Sequence, residues 1–109
     1  NSKKITKLSL KNKICGYGAA AKSTIICNLM KIKNKNIDFV YDKNYHKQNK
    51  FIPNTGIQIK SPDNIIKDKP DYLIVFPWNL ENEIKKEFSY TRKWGCKFLK
   101  INPYLKEIK

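Results

Sequence analysis

The spacing of apolar and polar positions along the chain alternates between the period of strands and the period of helices. Short apolar runs that stop at turn residues predict strands, because a strand needs only about four to eight residues between turn signals. The predicted strands are 13–15, 37–41, 57–59, 73–76 and 97–101. A polar loop over 43–56 separates the second strand from the third.

Helices are predicted between these strands. Residues 19–30 carry apolar side chains at i, i+4 spacing, which predicts a helix with a broad apolar face. A short helix over 64–68 follows Ser61, whose hydroxyl we expect to be the N-cap. Another over 80–93 has an acidic first turn and a basic last turn, and we expect Asn79 to cap it. Its predicted buried face is Leu80, Ile84, Phe88 and Thr91, and Gly95 is expected to end it.

Strands that alternate with helices predict a parallel sheet with right-handed crossovers. The continuously apolar strand 73–76 is typical of a central position, and we expect it beside 13–15. The alternating strand 57–59 and the strand 97–101, whose ends are charged, are expected at the two edges. The predicted fold class is α/β, a Rossmann-like parallel sheet of about five strands in the order 3-2-1-4-5 with helices on both faces.

The length of 109 residues suits one domain with a single core. We expect residues 1–11 to be a linker or a short helix leading into the domain, and 12–109 to form the domain itself. No apolar run approaches the roughly 18 residues that cross a bilayer, and no signal-peptide pattern is present. Because the chain begins with Asn1 rather than Met, a fragment of a longer protein is one interpretation. Three cysteines with no C-x-x-C spacing predict reduced, partly buried thiols in a cytoplasmic protein: Cys15, Cys27 and Cys96.

The formal charge of +14 would fit a nucleic-acid-binding protein. However, 22 of the 23 basic residues are Lys and only Arg92 is Arg, the side chain that recognises guanine edges and phosphates best. The chain also contains 12 Asn and 15 Ile, and AT-rich codons explain the enrichment of all three residue types. Nucleic acid is therefore not the expected partner.

The segment 16–24 matches a phosphate-binding pattern. As G-x-G-x-x-[GA] it uses Gly16 for a tight turn, Gly18 for close approach of a ligand and Ala21 for helix packing. The N-terminus of the following helix offers N–H groups and a positive dipole to an anion. Asp42, at the end of the second strand, stands where a partner of a ribose hydroxyl is expected.

The same segment matches the pattern of nucleoside triphosphatases less well. Lys22 and Ser23 fit G-x-x-x-x-G-K-[ST], but Ala21 stands where the pattern requires Gly. The strand 73–76 is followed by Pro77 rather than by a carboxylate for magnesium. These departures argue against nucleotide hydrolysis, and we predict no catalytic residue and no metal ligand in the chain.

The switch point between the first and fourth strands lies beside Gly16–Ala20 and Pro77–Asn79, which predicts one shared crevice. Simpler interpretations remain open. The glycines fit a strand–helix joint without a ligand, Asp42 fits a turn, and Trp78 fits a core aromatic. The lone histidine, His46, is interpreted as a solvated loop residue.

Segments spread over most of the chain carry a more specific pattern than the glycines alone. They are Gly16-Tyr17-Gly18-Ala19-Ala20-Ala21-Lys22, Ile37-Asp38-Phe39-Val40-Tyr41-Asp42-Lys43-Asn44, Lys47-Gln48, Pro53-Asn54-Thr55, Ile57-Gln58-Ile59, Ser61-Pro62, Asp71-Tyr72, Phe76-Pro77-Trp78-Asn79 and Trp94-Gly95 to Phe98. In order and spacing they resemble the C-terminal domain of S-adenosylmethionine-dependent sugar C-methyltransferases, which act on nucleotide-linked deoxy or keto sugars. The resemblance covers roughly residues 12–101.

The resemblance implies a division of labour among domains. A zinc-binding N-terminal domain and a middle domain precede this one in such enzymes, and the middle domain binds S-adenosylmethionine and carries the catalytic base. The C-terminal domain is Rossmann-like and faces the substrate. We therefore expect a chain that binds no cofactor, is not catalytic alone, and has the nucleotide-linked sugar and the preceding domains as partners. The expected substrate-binding residues are Gly16, Tyr17, Gly18, Ala19, Ala20, Lys22, Asp42, Trp78 and Asn79.

Two residues depart from the family pattern. Asn54 stands where the family commonly has Gly, and Ser23 where a Gly or another small residue often follows the lysine. Two other functions stay open at this point. One is a free-standing nucleotide- or dinucleotide-binding module, for which Asp42 would be required. The other is a lysine-rich nucleic-acid-binding protein, whose binding would collapse with salt.

Overall fold

A mixed sheet of six strands forms the centre of the computed structural model, which describes residues 2–101 and 104–108. The strand order is β3-β2-β1-β4-β5-β6; all neighbours are parallel except β5 and β6, which are antiparallel. The order of the first five strands confirms the predicted sheet. The strands are β1 (Ile14–Tyr17), β2 (Phe39–Tyr41), β3 (Gln58–Lys60), β4 (Tyr72–Val75), β5 (Lys97–Ile101) and β6 (Leu105–Ile108).

Helices cover both faces of this sheet, as predicted. Side chains alternate across the strands, so that Ile14 and Ile74 join one core cluster while Cys15 and Leu73 join the other. The first cluster packs against α1 and α2, and the second against α3 and α4. The helices are α1 (Ser2–Ser9), α2 (Ala21–Leu29), α3 (Ile65–Asp68) and α4 (Glu81–Glu87), with 3-10 turns at Pro62–Asn64, Trp78–Leu80 and Ser89–Trp94.

The prediction that strand 97–101 lies at an edge is wrong. β6 pairs with it on the outer side, with Phe98 opposite Ile108 and Ile101 opposite Leu105. In β6 the first and last residues are buried and the two between them are exposed. This spacing of three lacks the strict alternation that marks a strand, so the sequence pattern did not reveal it.

The predicted helix over 80–93 is shorter than expected. α4 ends at Glu87, and the backbone leaves the helix at Phe88, which is buried in the core. The Thr91 hydroxyl donates to the Phe88 carbonyl at 2.7 Å and satisfies that acceptor at the break. Gly95 then ends the following 3-10 turn with a φ of 84°, as the sequence predicted.

Two expectations about side chains in this region are wrong. Asn79 lies within a 3-10 turn, and the N-cap position of α4 belongs to Leu80, whose apolar side chain accepts no hydrogen bond. Leu80 is 41% exposed instead of buried. The other three residues of the predicted face are buried, and the Ser61 hydroxyl accepts from the Asp63 N–H at 3.2 Å as the predicted N-cap.

The apolar face of α2 is narrower than the sequence indicates. Cys27 is fully buried, and Ile26 and Met30 pack against the first core cluster. Ile25 and Leu29 point outward and are 57% and 78% exposed. Among the described residues, the helices are too short and too polar to cross a lipid bilayer.

Candidate functional site

The glycines within β1 and just after it make room for residues that follow β4. Gly18 adopts a φ of +99°, and a Cβ there would lie 2.6 Å from Cδ of Pro77. Gly16 lies inside β1, and a Cβ there would lie 2.6 Å from the ring of Phe76. The expectation that Gly16 forms the tight turn is therefore wrong: Gly18 forms it, and the Gly18 N–H donates to the Tyr41 carbonyl at 2.8 Å.

Residues that follow β2 hold the loop between Gly18 and α2. Asp42 accepts a hydrogen bond on Oδ2 from the Ala19 N–H at 2.7 Å. Its other oxygen, Oδ1, accepts from the Asn44 N–H at 2.8 Å. The ammonium group of Lys47 donates to the Ala19 carbonyl at 2.8 Å. Both polar groups of the Ala19 backbone are thus bound, and the loop conformation is determined by contacts rather than by glycine alone.

The N-terminus of α2 faces the end of the sheet without a capping side chain of its own. Ala20 holds the N-cap position in an extended conformation, and an alanine side chain offers no acceptor. The first-turn N–H groups of Ala21, Lys22 and Ser23 have no acceptor within the helix. Ser23 is buried and its hydroxyl donates to the Ala20 carbonyl at 2.6 Å. These amides and the helix dipole favour an anion at this position.

Lys22 and Trp78 meet at the rim of this helix end. The Lys22 Nζ lies 4.9 Å from the centroid of the Trp78 ring, within the range of a cation–π contact. Lys22 and Asn79 are exposed, and Trp78 is half-buried. Beside them lies a pocket of about 200 Å³, which is lined by Gly18, Ala20, Lys22, Ser23, Phe76, Pro77 and Asn79. Four of the predicted substrate-binding residues line this pocket: Gly18, Ala20, Lys22 and Asn79. Trp78 lies beside it, and Gly16, Tyr17, Ala19 and Asp42 are not part of its lining. We call it the glycine-loop crevice.

Tyr17 and His46 lie apart from this crevice. Tyr17 belongs to the second core cluster, its ring centroid is 5.1 Å from that of Phe88, and burial raises the pKa of its hydroxyl. His46 is exposed, with its ring 5.1 Å from that of Tyr45. The described part of the chain brings together no group of three or more His, Cys, Asp or Glu side chains that would hold a metal ion.

A larger cavity, which the sequence did not reveal, lies at the carboxyl ends of β2 and β3. Its volume is about 790 Å³, and it is lined by Lys43, Gln48, Ser61, Pro62, Asp63, Ile66, Glu87, Phe88 and Tyr90. The Lys43 Nζ and the Glu87 Oε2 are 2.6 Å apart at its wall. These residues come from distant segments with no shared motif, so spacing along the chain could not indicate the cavity. We call it the β2–β3 cavity.

Comparison with known proteins agrees with this architecture. Residues 3–103 match the family described as C-methyltransferase C-terminal domain. C-methyltransferase NovU from Streptomyces niveus is 33% identical over 78 residues, which are 69% of this chain and 19% of that protein. The chain thus spans about a fifth of the length of this relative.

A solved structure has a similar fold. The crystal structure of UDP-D-quinovosamine 4-dehydrogenase from Vibrio fischeri superposes with a TM-score of 0.64 at 19% identity, covering 91% of this chain and 94% of the other. At this identity the likeness concerns the Rossmann-type fold alone. The family match spans nearly the whole sequence, and the chain therefore belongs to the C-methyltransferase C-terminal domain family.

Proposed function

We propose that this chain is the substrate-side domain of an S-adenosylmethionine-dependent sugar C-methyltransferase. In this proposal the glycine-loop crevice binds the diphosphate of a nucleotide-linked sugar, and methyl transfer is catalysed by other domains. The observation that carries it is the position of Lys22, which lies over Trp78 beside the uncapped end of α2. Because the thiols of all three cysteines are free, we place this function in a reducing compartment, the cytoplasm.

The chemistry of the crevice suits an anion held at its rim. First-turn amides of α2 donate to phosphate oxygens, and the Lys22 ammonium adds a full positive charge. The contact with Trp78 restricts the lysine to the side of the crevice, so less side-chain entropy is lost when an anion binds. Asn79 at the rim offers both a donor and an acceptor to a sugar hydroxyl.

The same geometry does not fit the methyl donor. A nucleoside cofactor in a Rossmann crevice is held by its ribose hydroxyls, which bind an acidic side chain at the end of the second strand. The Asp42 carboxylate, the expected partner of a ribose hydroxyl, already accepts from the Ala19 and Asn44 amides. These contacts support the proposal that S-adenosylmethionine, which supplies the methyl group in such enzymes, is bound outside this chain.

The two tryptophans allow a direct test by NMR. The Trp78 indole lies at the crevice, whereas the Trp94 indole N–H donates to the Pro70 carbonyl at 3.0 Å and serves as an internal reference. We expect UDP-glucose or a dTDP-hexose to shift the Trp78 indole signal and to leave that of Trp94 unchanged. Lys22→Ala should weaken binding about tenfold, the effect of losing one charge-assisted hydrogen bond, while Lys67→Ala, an exposed helical control, should not.

Three results would contradict the proposal. An unchanged Trp78 signal at millimolar nucleotide-sugar would exclude the crevice as the substrate site. Tighter binding of NAD than of nucleotide-sugar would instead identify a dinucleotide-binding module. Binding of DNA or RNA with a steep dependence on salt would identify a nucleic-acid-binding protein.

A further inference from the structure

The β2–β3 cavity has the size and position of a ligand site. Its volume of about 790 Å³ falls in the range of about 300–1,000 Å³ that small-molecule sites occupy. Lys43 and Ser61 enter it just after the carboxyl ends of β2 and β3, the edge of a parallel sheet where ligands bind in α/β folds. The opposite wall comes from the end of α4 and the 3-10 turn after it.

The walls of this cavity differ in chemistry. Phe88 and Tyr90 form an aromatic wall, with ring centroids 6.1 Å apart in an edge-to-face arrangement. Lys43 and Glu87 form a polar wall, 60% and 42% exposed and 2.6 Å apart. A hydrogen bond from Lys43 to Glu87 raises the pKa of the ammonium group, so the pair presents one cationic donor and one anionic acceptor. Such a pair contributes little to folding stability, because water screens it.

A chain of contacts joins this cavity to the glycine-loop crevice. Gln48, which lines the cavity, donates from Nε2 to the Asp42 carbonyl at 2.9 Å. The Asp42 carboxylate in turn accepts from the Ala19 amide at 2.7 Å, next to the start of α2. Asp42 therefore lies between the two sites.

We propose that the β2–β3 cavity binds the nucleobase of the nucleotide-linked sugar, an inference that rests on the proposed function. The Tyr90 ring stacks on the base, Glu87 accepts from a ring N–H, and Lys43 donates to the adjacent carbonyl. Uracil, thymine and guanine carry an N–H next to a carbonyl, whereas adenine and cytosine do not. In the proposed function the sugar must reach another domain, which holds the methyl donor. The nucleobase is at the opposite end of the substrate, and the β2–β3 cavity therefore suits the base rather than the sugar.

The test uses nucleoside monophosphates, which carry the base without the sugar that is methylated. We expect UMP to bind the chain and to shift backbone signals of Lys43, Glu87 and Tyr90, and AMP to bind at least tenfold more weakly. Tyr90→Leu should weaken UMP binding about tenfold, the usual effect of losing one base–aromatic stack. Glu87→Ala should weaken it similarly, and Glu83→Ala, an exposed control on the same helix, should leave it unchanged.

The outcomes separate this inference from the proposed function. If UDP-glucose shifts the Trp78 indole but Glu87→Ala and Tyr90→Leu keep wild-type affinity for UMP, the base site is wrong and the proposed function stands. If UMP binding depends on Glu87 while UDP-glucose leaves Trp78 unchanged, the base site stands and the crevice is wrong. Equal affinity for UMP and AMP would overturn the recognition by Lys43 and Glu87.

Discussion

The carboxylate of Asp42 binds the backbone amide of Ala19 at 2.7 Å and so joins the end of β2 to the loop after β1. Its second oxygen accepts from the Asn44 amide at 2.8 Å, at the start of the loop over 43–56. One half-buried side chain thus organises both loops at the carboxyl edge of the sheet. The contact gives Asp42 a structural role that does not depend on any ligand.

Removal of this carboxylate should destabilise the fold. Asp42→Ala leaves two amides without their charged acceptor, and we expect the free energy of unfolding to fall by about 1.5–3 kcal/mol. Asp38→Ala, at an exposed aspartate close to the same strand, serves as the control and should change it by less than about 0.5 kcal/mol. Urea denaturation measures both. Equal stability of the two variants would show that the loops do not depend on Asp42.

Gly18 should tolerate a side chain less well than Gly95, although both adopt a positive φ. A Cβ at Gly18 meets Pro77 at 2.6 Å, whereas a Cβ at Gly95 meets nothing within 4 Å. Gly95→Ala should therefore show backbone strain alone, about 1 kcal/mol, and Gly18→Ala should cost about 1–3 kcal/mol more. Thermal denaturation of the pair measures the difference. Equal losses would show that the loop moves away from Pro77 at little cost.

A buried polar network between β2 and α3 should contribute to stability. Tyr41 is fully buried, and its hydroxyl donates to Asp68 Oδ2 at 2.7 Å. Lys60 binds the same carboxylate at 3.1 Å. Tyr41→Phe removes a donor from a shielded carboxylate and should lower the free energy of unfolding by about 1–3 kcal/mol.

Tyr72→Phe is the matched control for this network, since Tyr72 is only half-buried and packs against the first core cluster. It should change stability by less than about 0.5 kcal/mol. A double-mutant cycle of Tyr41→Phe with Asp68→Asn would then isolate the coupling energy between these two side chains. A coupling energy near zero would contradict a direct contribution of the Tyr41–Asp68 hydrogen bond.

Stability should also fall at high pH because of the buried thiols. Burial raises the pKa of the Cys27 thiol from 9.0 to about 11. Below pH 9 the Cys27 thiol is protonated in both the folded and the unfolded chain, so its contribution to the free energy of unfolding is fully present. As the pH rises from 9 through 11, the unfolded chain releases its proton first, so the free energy of unfolding decreases.

Lysines and tyrosines also titrate at high pH and affect stability there. The measurement therefore compares how steeply the free energy of unfolding falls with pH in the wild type and in Cys27→Ala. Between pH 9 and about 11 the stability of Cys27→Ala should fall less steeply than that of the wild type, by about 1–2 kcal/mol in total. Urea midpoints at several pH values give both slopes. Identical slopes would show that the Cys27 thiol ionises as readily in the folded chain as in the unfolded one.

Local sequence patterns were sufficient to predict most of the helices and strands, but not where each of them ends. The helix over 80–93 looked continuous because its residues keep helical spacing, yet burial of Phe88 and the Thr91 hydroxyl bond end α4 at Glu87. β6 was missed because its two buried residues are three apart. Both errors arise because tertiary packing outweighs weak local preference.

The sequence by itself determined the α/β class, the order of the first five strands, the family resemblance and the meeting of the glycine segment with Pro77–Asn79. The fold class, the strand order and this meeting follow from periodicity, turn residues and topological rules. The family resemblance rests on motifs that match a known family in order and spacing. Only the tertiary structure decided that Asp42 binds Ala19, that Gly18 rather than Gly16 forms the turn and that Lys43 and Glu87 line one open cavity. The physical reason is that these features depend on the exact positions of individual atoms, which are set by how the whole core packs.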